Sequence, residues 1–70
     1  MQDVARLSDN LRHARRDAGL SQAELAKRSG VGAATVARIE AGAIDNPRLN
    51  TLRDLARALG IDPRDLVPDE

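Results

Sequence analysis

Residues 20–42 read Leu20-Ser21-Gln22-Ala23-Glu24-Leu25-Ala26-Lys27-Arg28-Ser29-Gly30-Val31-Gly32-Ala33-Ala34-Thr35-Val36-Ala37-Arg38-Ile39-Glu40-Ala41-Gly42, and the spacing within this stretch predicts two short helices joined by a tight turn. Ser21 followed three residues later by Glu24 is a capping box. The Ser21 hydroxyl accepts from the Glu24 amide while the Glu24 carboxylate reaches back to the Ser21 amide, which starts a helix at Gln22. Leu20 supplies an apolar residue just outside it, as a hydrophobic staple requires. That helix carries Leu25 and Ala26 and stops at Gly30. At about two turns it cannot persist alone in water, so it needs tertiary partners. Ser29-Gly30-Val31-Gly32 forms the turn, with Gly30 free to adopt positive φ. Gly32 caps the next helix, less well than serine or threonine would. Burying Val31, Val36 and Ile39 fixes the angle between the two helices and turns Ala33, Ala34, Ala37 and Arg38 outward, while Ala26 is small where they cross.

The flanking residues keep the same helical period. Upstream, Val4, Leu7, Leu11, Ala14 and Ala18 recur at spacings of three and four, and Gly19 ends the run. Ser8 could cap a helix starting there, leaving residues 1–7 as an arm, but the apolar phase reaching back to Val4 favours an earlier start. Downstream, residues 43–48 hold Asp45, Asn46 and Pro47 and read as a loop. Leu49, Leu52, Leu55, Ala56 and Leu59 then mark a fourth helix closed by Gly60. Asp62-Pro63-Arg64-Asp65 places a capping acid before a proline at the first helical position, which predicts a short fifth helix carrying Leu66 and Val67 and ending at Pro68. No period-2 run of β-branched residues occurs. The reading is all-α: one compact domain over residues 1–70, built of five short helices.

Composition removes most chemistry. A chain of 70 residues is one domain at most, and 41% hydrophobic against 31% charged residues is a globular balance rather than a disordered one. There are no cysteines and one histidine, which excludes disulfides, cysteine-ligated zinc and a multi-histidine metal site. No nucleophile–base pair or phosphate-cradling glycine loop is present, so an enzyme is the least supported class and no cofactor is expected. The absence of aromatic residues excludes base stacking as a way of gripping single strands. No apolar run is long enough for a membrane span, so the expectation is a cytoplasmic, nucleoid-associated protein with no membrane partner.

The net charge is zero, from eleven basic and eleven acidic side chains. The charges are segregated, however. Residues 10–38 carry six basic against two acidic side chains, and residues 39–70 carry four against seven. A basic first half can present a positive face to a polyanion without a high isoelectric point.

Two short helices around a glycine-containing turn are the sequence form of a helix-turn-helix (motif at residues 22–41), whose second helix enters the DNA major groove. The run Leu20 to Ala26, then Gly30-Val31, Ile39-Glu40-Ala41-Gly42, Pro47, and the Leu52/Leu55-Ala56/Leu59-Gly60-Ile61 helix resembles the Cro/C1-type (XRE-like) helix-turn-helix family over residues 7–67. The resemblance implies a lambda-repressor-like DNA-binding domain that acts as a prokaryotic or phage transcriptional regulator, as a repressor and as a homodimer on a two-fold site. It places Ala33, Ala34, Thr35, Ala37 and Arg38 of a recognition helix at about residues 33–41 against base edges. Gln22, Asn46 and Arg48 fall at positions that face phosphates. Arg15 and Glu40 match positions that commonly pair between helices one and three.

Departures from the family pattern weaken base readout. Members usually carry serine or threonine at the position of Gly32 and polar side chains at Ala33 and Ala34, and often basic or amide side chains at Ala41 and Ala43. Alanine can touch a thymine methyl but cannot form the bidentate bonds that discriminate bases, so readout rests on Thr35 and Arg38, with Gln22 as a possible third. The smooth Ala33-Ala34-Ala37 face motivates an alternative: a protein-interaction module or antitoxin-like regulator with a protein partner. The residues themselves also leave blander roles open. Gln22 could be a solvated first-turn residue, and Arg38 could pair with Glu24 or Asp17. His13 lies off the apolar stripe. Leu66-Val67 could complete the core or form a dimer contact.

Overall fold

The computed structural model describes residues 6–67. Four α-helices follow one another, α1 at Leu7–Asp17, α2 at Gln22–Ser29, α3 at Ala33–Glu40 and α4 at Leu49–Leu59, and a 3-10 turn spans Pro63–Asp65. There is no strand among the described residues, and no helix among them is long and apolar enough to cross a membrane. Helix α2 packs against α3 and α4, α3 also packs against α1, and the 3-10 turn packs on α4.

No single helix could form this core. Leu11 of α1, Leu25 of α2, Val36 and Ile39 of α3, Leu55 of α4 and Leu66 beyond the 3-10 turn are all fully buried. Each such side chain contributes about 1.5–3 kcal/mol of transfer free energy. Two helices of 8 residues would otherwise fray, so this shared burial is what holds α2 and α3 in place.

Three expectations need correction. The fifth α-helix is absent. Asp62 accepts the Arg64 amide at 2.8 Å and Pro63 takes the first position, so the start signals act as read. The bonds that follow, Asp65 N to Asp62 O at 2.9 Å and Leu66 N to Pro63 O at 3.1 Å, close three residues back rather than four. Pro68 disfavours α geometry at Val67, so the turn has no room to lengthen. Helix α1 begins at Leu7, with Arg6 extended at φ −85° and ψ 159° as its N-cap. Ser8 therefore lies inside the first turn rather than capping it, and Val4 falls outside the described residues. Leu49 is 57% exposed and does not join the core that Leu55 and Ala56 form.

The pair Leu66-Val67 is split. Leu66 is fully buried and completes the core, whereas Val67 is 39% exposed. His13 is exposed and lines a shallow groove with Asp17 and Asp65.

Candidate nucleic-acid interface

The first turn of α2 is set by the capping box. Ser21 N donates to Glu24 Oε1 at 2.8 Å, and Glu24 N donates to Ser21 Oγ at 3.0 Å. The Ser21 amide and hydroxyl hold the Glu24 carboxyl below its ordinary value. The first intrahelical bond runs from Leu25 N to Ser21 O, so the amides of Gln22 and Ala23 have no partner within the helix. They add partial positive charge at one end of α2.

The turn between α2 and α3 is locked from both sides. Gly30 sits at φ +76°, and no atom lies within 4 Å of the Cβ it lacks, so only backbone conformation calls for glycine there. Ser29 Oγ donates to Ala26 O at 3.3 Å and accepts from Val31 N at 3.1 Å. This hydroxyl bridge was not anticipated, although a serine at the close of a helix and two residues before a valine is a legible signal for it.

Helix α3 has two unlike faces. Val36 and Ile39 are buried, while Ala33, Ala34 and Arg38 are exposed and Thr35 and Ala37 are half-buried. Ala37 is thus partly drawn inward rather than projecting freely. Gly32 caps α3 at φ −59° with no side-chain bond, which leaves the first-turn amides of α3 uncovered. A Cβ at Gly32 would meet only Thr35 Oγ1, at 3.8 Å, so the fold itself does not demand glycine there. Arg38 makes no ion pair or side-chain hydrogen bond among the described residues, with Glu24 and Asp17 included. Its main-chain oxygen accepts from Ala43 N at 2.9 Å and folds the loop back against the helix end. In that loop Asn46 and Arg48 are both exposed, and Arg48 is the N-cap of α4.

Behind this surface one buried carboxylate ties three elements together. Glu40 is 4% exposed. Arg15 Nε donates to Glu40 Oε2 at 2.6 Å and Arg15 Nη2 to Glu40 Oε1 at 2.9 Å, a bidentate pair between α1 and α3. Arg15 Nη1 also donates to Leu20 O at 2.8 Å, just before α2. Gln22 Nε2 donates to Glu40 Oε1 at 3.0 Å, and Arg12 Nη1 donates to the Glu40 main-chain oxygen at 3.2 Å. Burial pushes the Glu40 carboxyl up, but the bonds from Arg15 and Gln22 and the charges of Arg15 and Arg12 outweigh it and hold the group below its ordinary value. The Glu40 bond raises the Arg15 guanidinium in turn.

Gln22, Arg38, Asn46, Arg48 and the exposed alanines of α3 stay accessible, whereas Arg15 and Glu40 lie behind them. Sequence reasoning missed the bond between Gln22 and Glu40, the Arg12 bond to the end of α3, and Asn10 Nδ2 donating to Leu66 O at 3.1 Å, which ties α1 to the C-terminal segment. Each joins residues 18 or more apart in the chain, beyond any local pattern.

Two comparisons bear on this arrangement. The helix-turn-helix domain family matches residues 6–68. The chain is similar to the restriction-modification controller protein C.AhdI from Aeromonas hydrophila, known from a high-resolution crystal structure, with 39% sequence identity and a TM-score of 0.82. The similarity covers 89% of this chain and 92% of that one. No curated protein matches the chain.

Proposed function

Since the chain belongs to the Cro/C1-type helix-turn-helix family, a family of DNA-binding regulators rather than enzymes, we propose that it binds specific double-stranded DNA as a transcriptional repressor, with α3 seated in the major groove. The observation that carries this reading is the division of α3. Val36 and Ile39 anchor one side in the core, which leaves Ala33, Ala34 and an uncommitted Arg38 on the other. Arg38 is the group suited to bidentate bonding with a guanine edge, and the alanines suit thymine methyls. Thr35 and Ala37 flank them. Gln22, Asn46 and Arg48 would meet phosphates, joined by the free amides at the α2 N-terminus.

With so few polar readers, one protomer discriminates weakly, and the reading calls for a homodimer on half-sites about 34 Å apart. C.AhdI is described as a restriction-modification controller, and the role inferred for this chain is transcriptional control. The test is selection from a random DNA pool, repeated with Arg38→Ala. A two-fold symmetric motif that loses one base preference in the variant is expected. A chain that enriches no sequence and shifts no duplex even at low salt would instead favour a protein-interaction module built on the alanine face.

A further inference from the structure

We propose that Glu40 is a positioning residue for DNA binding, holding the Gln22 carboxamide in place before DNA arrives. The inference rests on the reading that Gln22 meets the DNA backbone. Gln22 is exposed in the first turn of α2, where a glutamine would ordinarily sample many rotamers. Here its Nε2 is committed to Glu40 Oε1 at 3.0 Å. An ionised carboxylate only accepts, so the nitrogen end of the carboxamide must face inward. The second N–H and the amide oxygen then remain for partners outside the protein.

The clamp is rigid because its anchor is rigid. Both Glu40 oxygens are engaged by Arg15, at 2.6 Å and 2.9 Å, and this fork fixes the carboxylate plane. Arg15 in turn grips Leu20 O, two residues before Gln22, so the carboxylate and the chain that bears Gln22 share one support. Glu40 is also the last residue of α3, whose outer face carries Arg38. A single buried side chain therefore sets the first turn of α2 relative to the end of the recognition helix. Binding DNA would not have to immobilise Gln22, a saving worth about two- to tenfold in affinity.

The test is a cycle of DNA-binding titrations on the selected site, with Gln22→Ala, Glu40→Asp and the double variant. Glu40→Asp keeps the charge that Arg15 needs but withdraws the carboxylate from Gln22 by one methylene. Gln22→Ala is expected to weaken binding about tenfold, the scale of a hydrogen bond to a charged group. Glu40→Asp is expected to weaken it about two- to tenfold alone and to have no further effect in the Gln22→Ala background. Equal loss in both backgrounds would mean that Glu40 acts only on the fold, and would overturn the proposal. If Gln22→Ala leaves affinity intact while Arg38→Ala reduces it, the proposal fails and the DNA-binding reading stands. If the wild type binds no duplex, both fail. Nuclear magnetic resonance of the wild type tests the clamp without any variant. One Gln22 Nε2 proton should be protected from exchange in the free protein while the other shifts on adding DNA; two protons exchanging like free amides would overturn the proposal.

Discussion

Replacing Arg15 by methionine removes one side of the most buried ion pair among the described residues. The side chains of Arg15 and Glu40 are 12% and 3% exposed, so this pair is not subject to the screening that makes surface ion pairs nearly worthless. In Arg15→Met, Glu40 loses two bonds and keeps those from Gln22 and Arg12, and Leu20 O loses its donor. An uncompensated buried charge costs about 3–5 kcal/mol. Solvent is never far away in so small a domain, which places the expectation near the low end, about 3 kcal/mol. A domain of this length has about 4–10 kcal/mol in total, so the variant should melt about 12–24 °C lower. Urea denaturation followed by circular dichroism at neutral pH measures the loss.

The double variant Arg15→Met, Glu40→Met removes both charges and should recover most of it, because apolar replacements of a buried pair are often neutral. The pH dependence has a definite sign. Glu40 is held below its ordinary value of 4.5, so its contribution is complete above that pH and is lost as pH falls through the lowered value. Without Arg15, burial dominates and raises the group, and the gap between variant and wild type should narrow towards acid. A loss below about 1 kcal/mol, or a double variant no more stable than the single one, would show that the pair behaves as a surface contact.

Leu55→Ala, at a fully buried site, should cost about 2–5 kcal/mol, whereas Leu49→Ala, at an exposed one, should stay within about 0.5 kcal/mol; thermal melts of the two variants check the placement of α4. Gly30→Ala forces a side chain to φ +76° and should destabilise by about 1–2 kcal/mol, while Gly32→Ala, at φ −59° where the added Cβ makes only an ordinary contact with Thr35 Oγ1, should be close to neutral by the same measurement. Arg48→Ala should weaken DNA binding evenly across sequences and lower the slope of log affinity against log salt by about 1. Arg38→Ala should instead cost about 1–3 kcal/mol at one base position, and a salt titration on two DNA sequences separates these outcomes.

The amino-acid sequence by itself determined the local elements. Ser21 and Glu24 set the start of α2 because both halves of the box lie within one turn, and Gly30 set its end through backbone freedom alone. The period of Leu25, Val36, Ile39 and Leu55 marked the buried faces, since helical geometry puts those positions on one side. The family followed from the register of these signals over most of the chain. Tertiary structure decided what local rules cannot weigh. The start signals at Asp62 and Pro63 were real, but the bonds that follow close three residues back and bring Leu66 into the core, so a 3-10 turn forms in place of a helix. Leu49 lies on the apolar stripe of its helix and points the same way as the buried Ala56, yet as the first residue of α4 it sits beyond the core that Leu55 and Ala56 meet. Gln22 carried no sign of its inward bond, because its partner lies 18 residues along the chain and only the packing of α3 on α1 and α2 brings that carboxylate within reach.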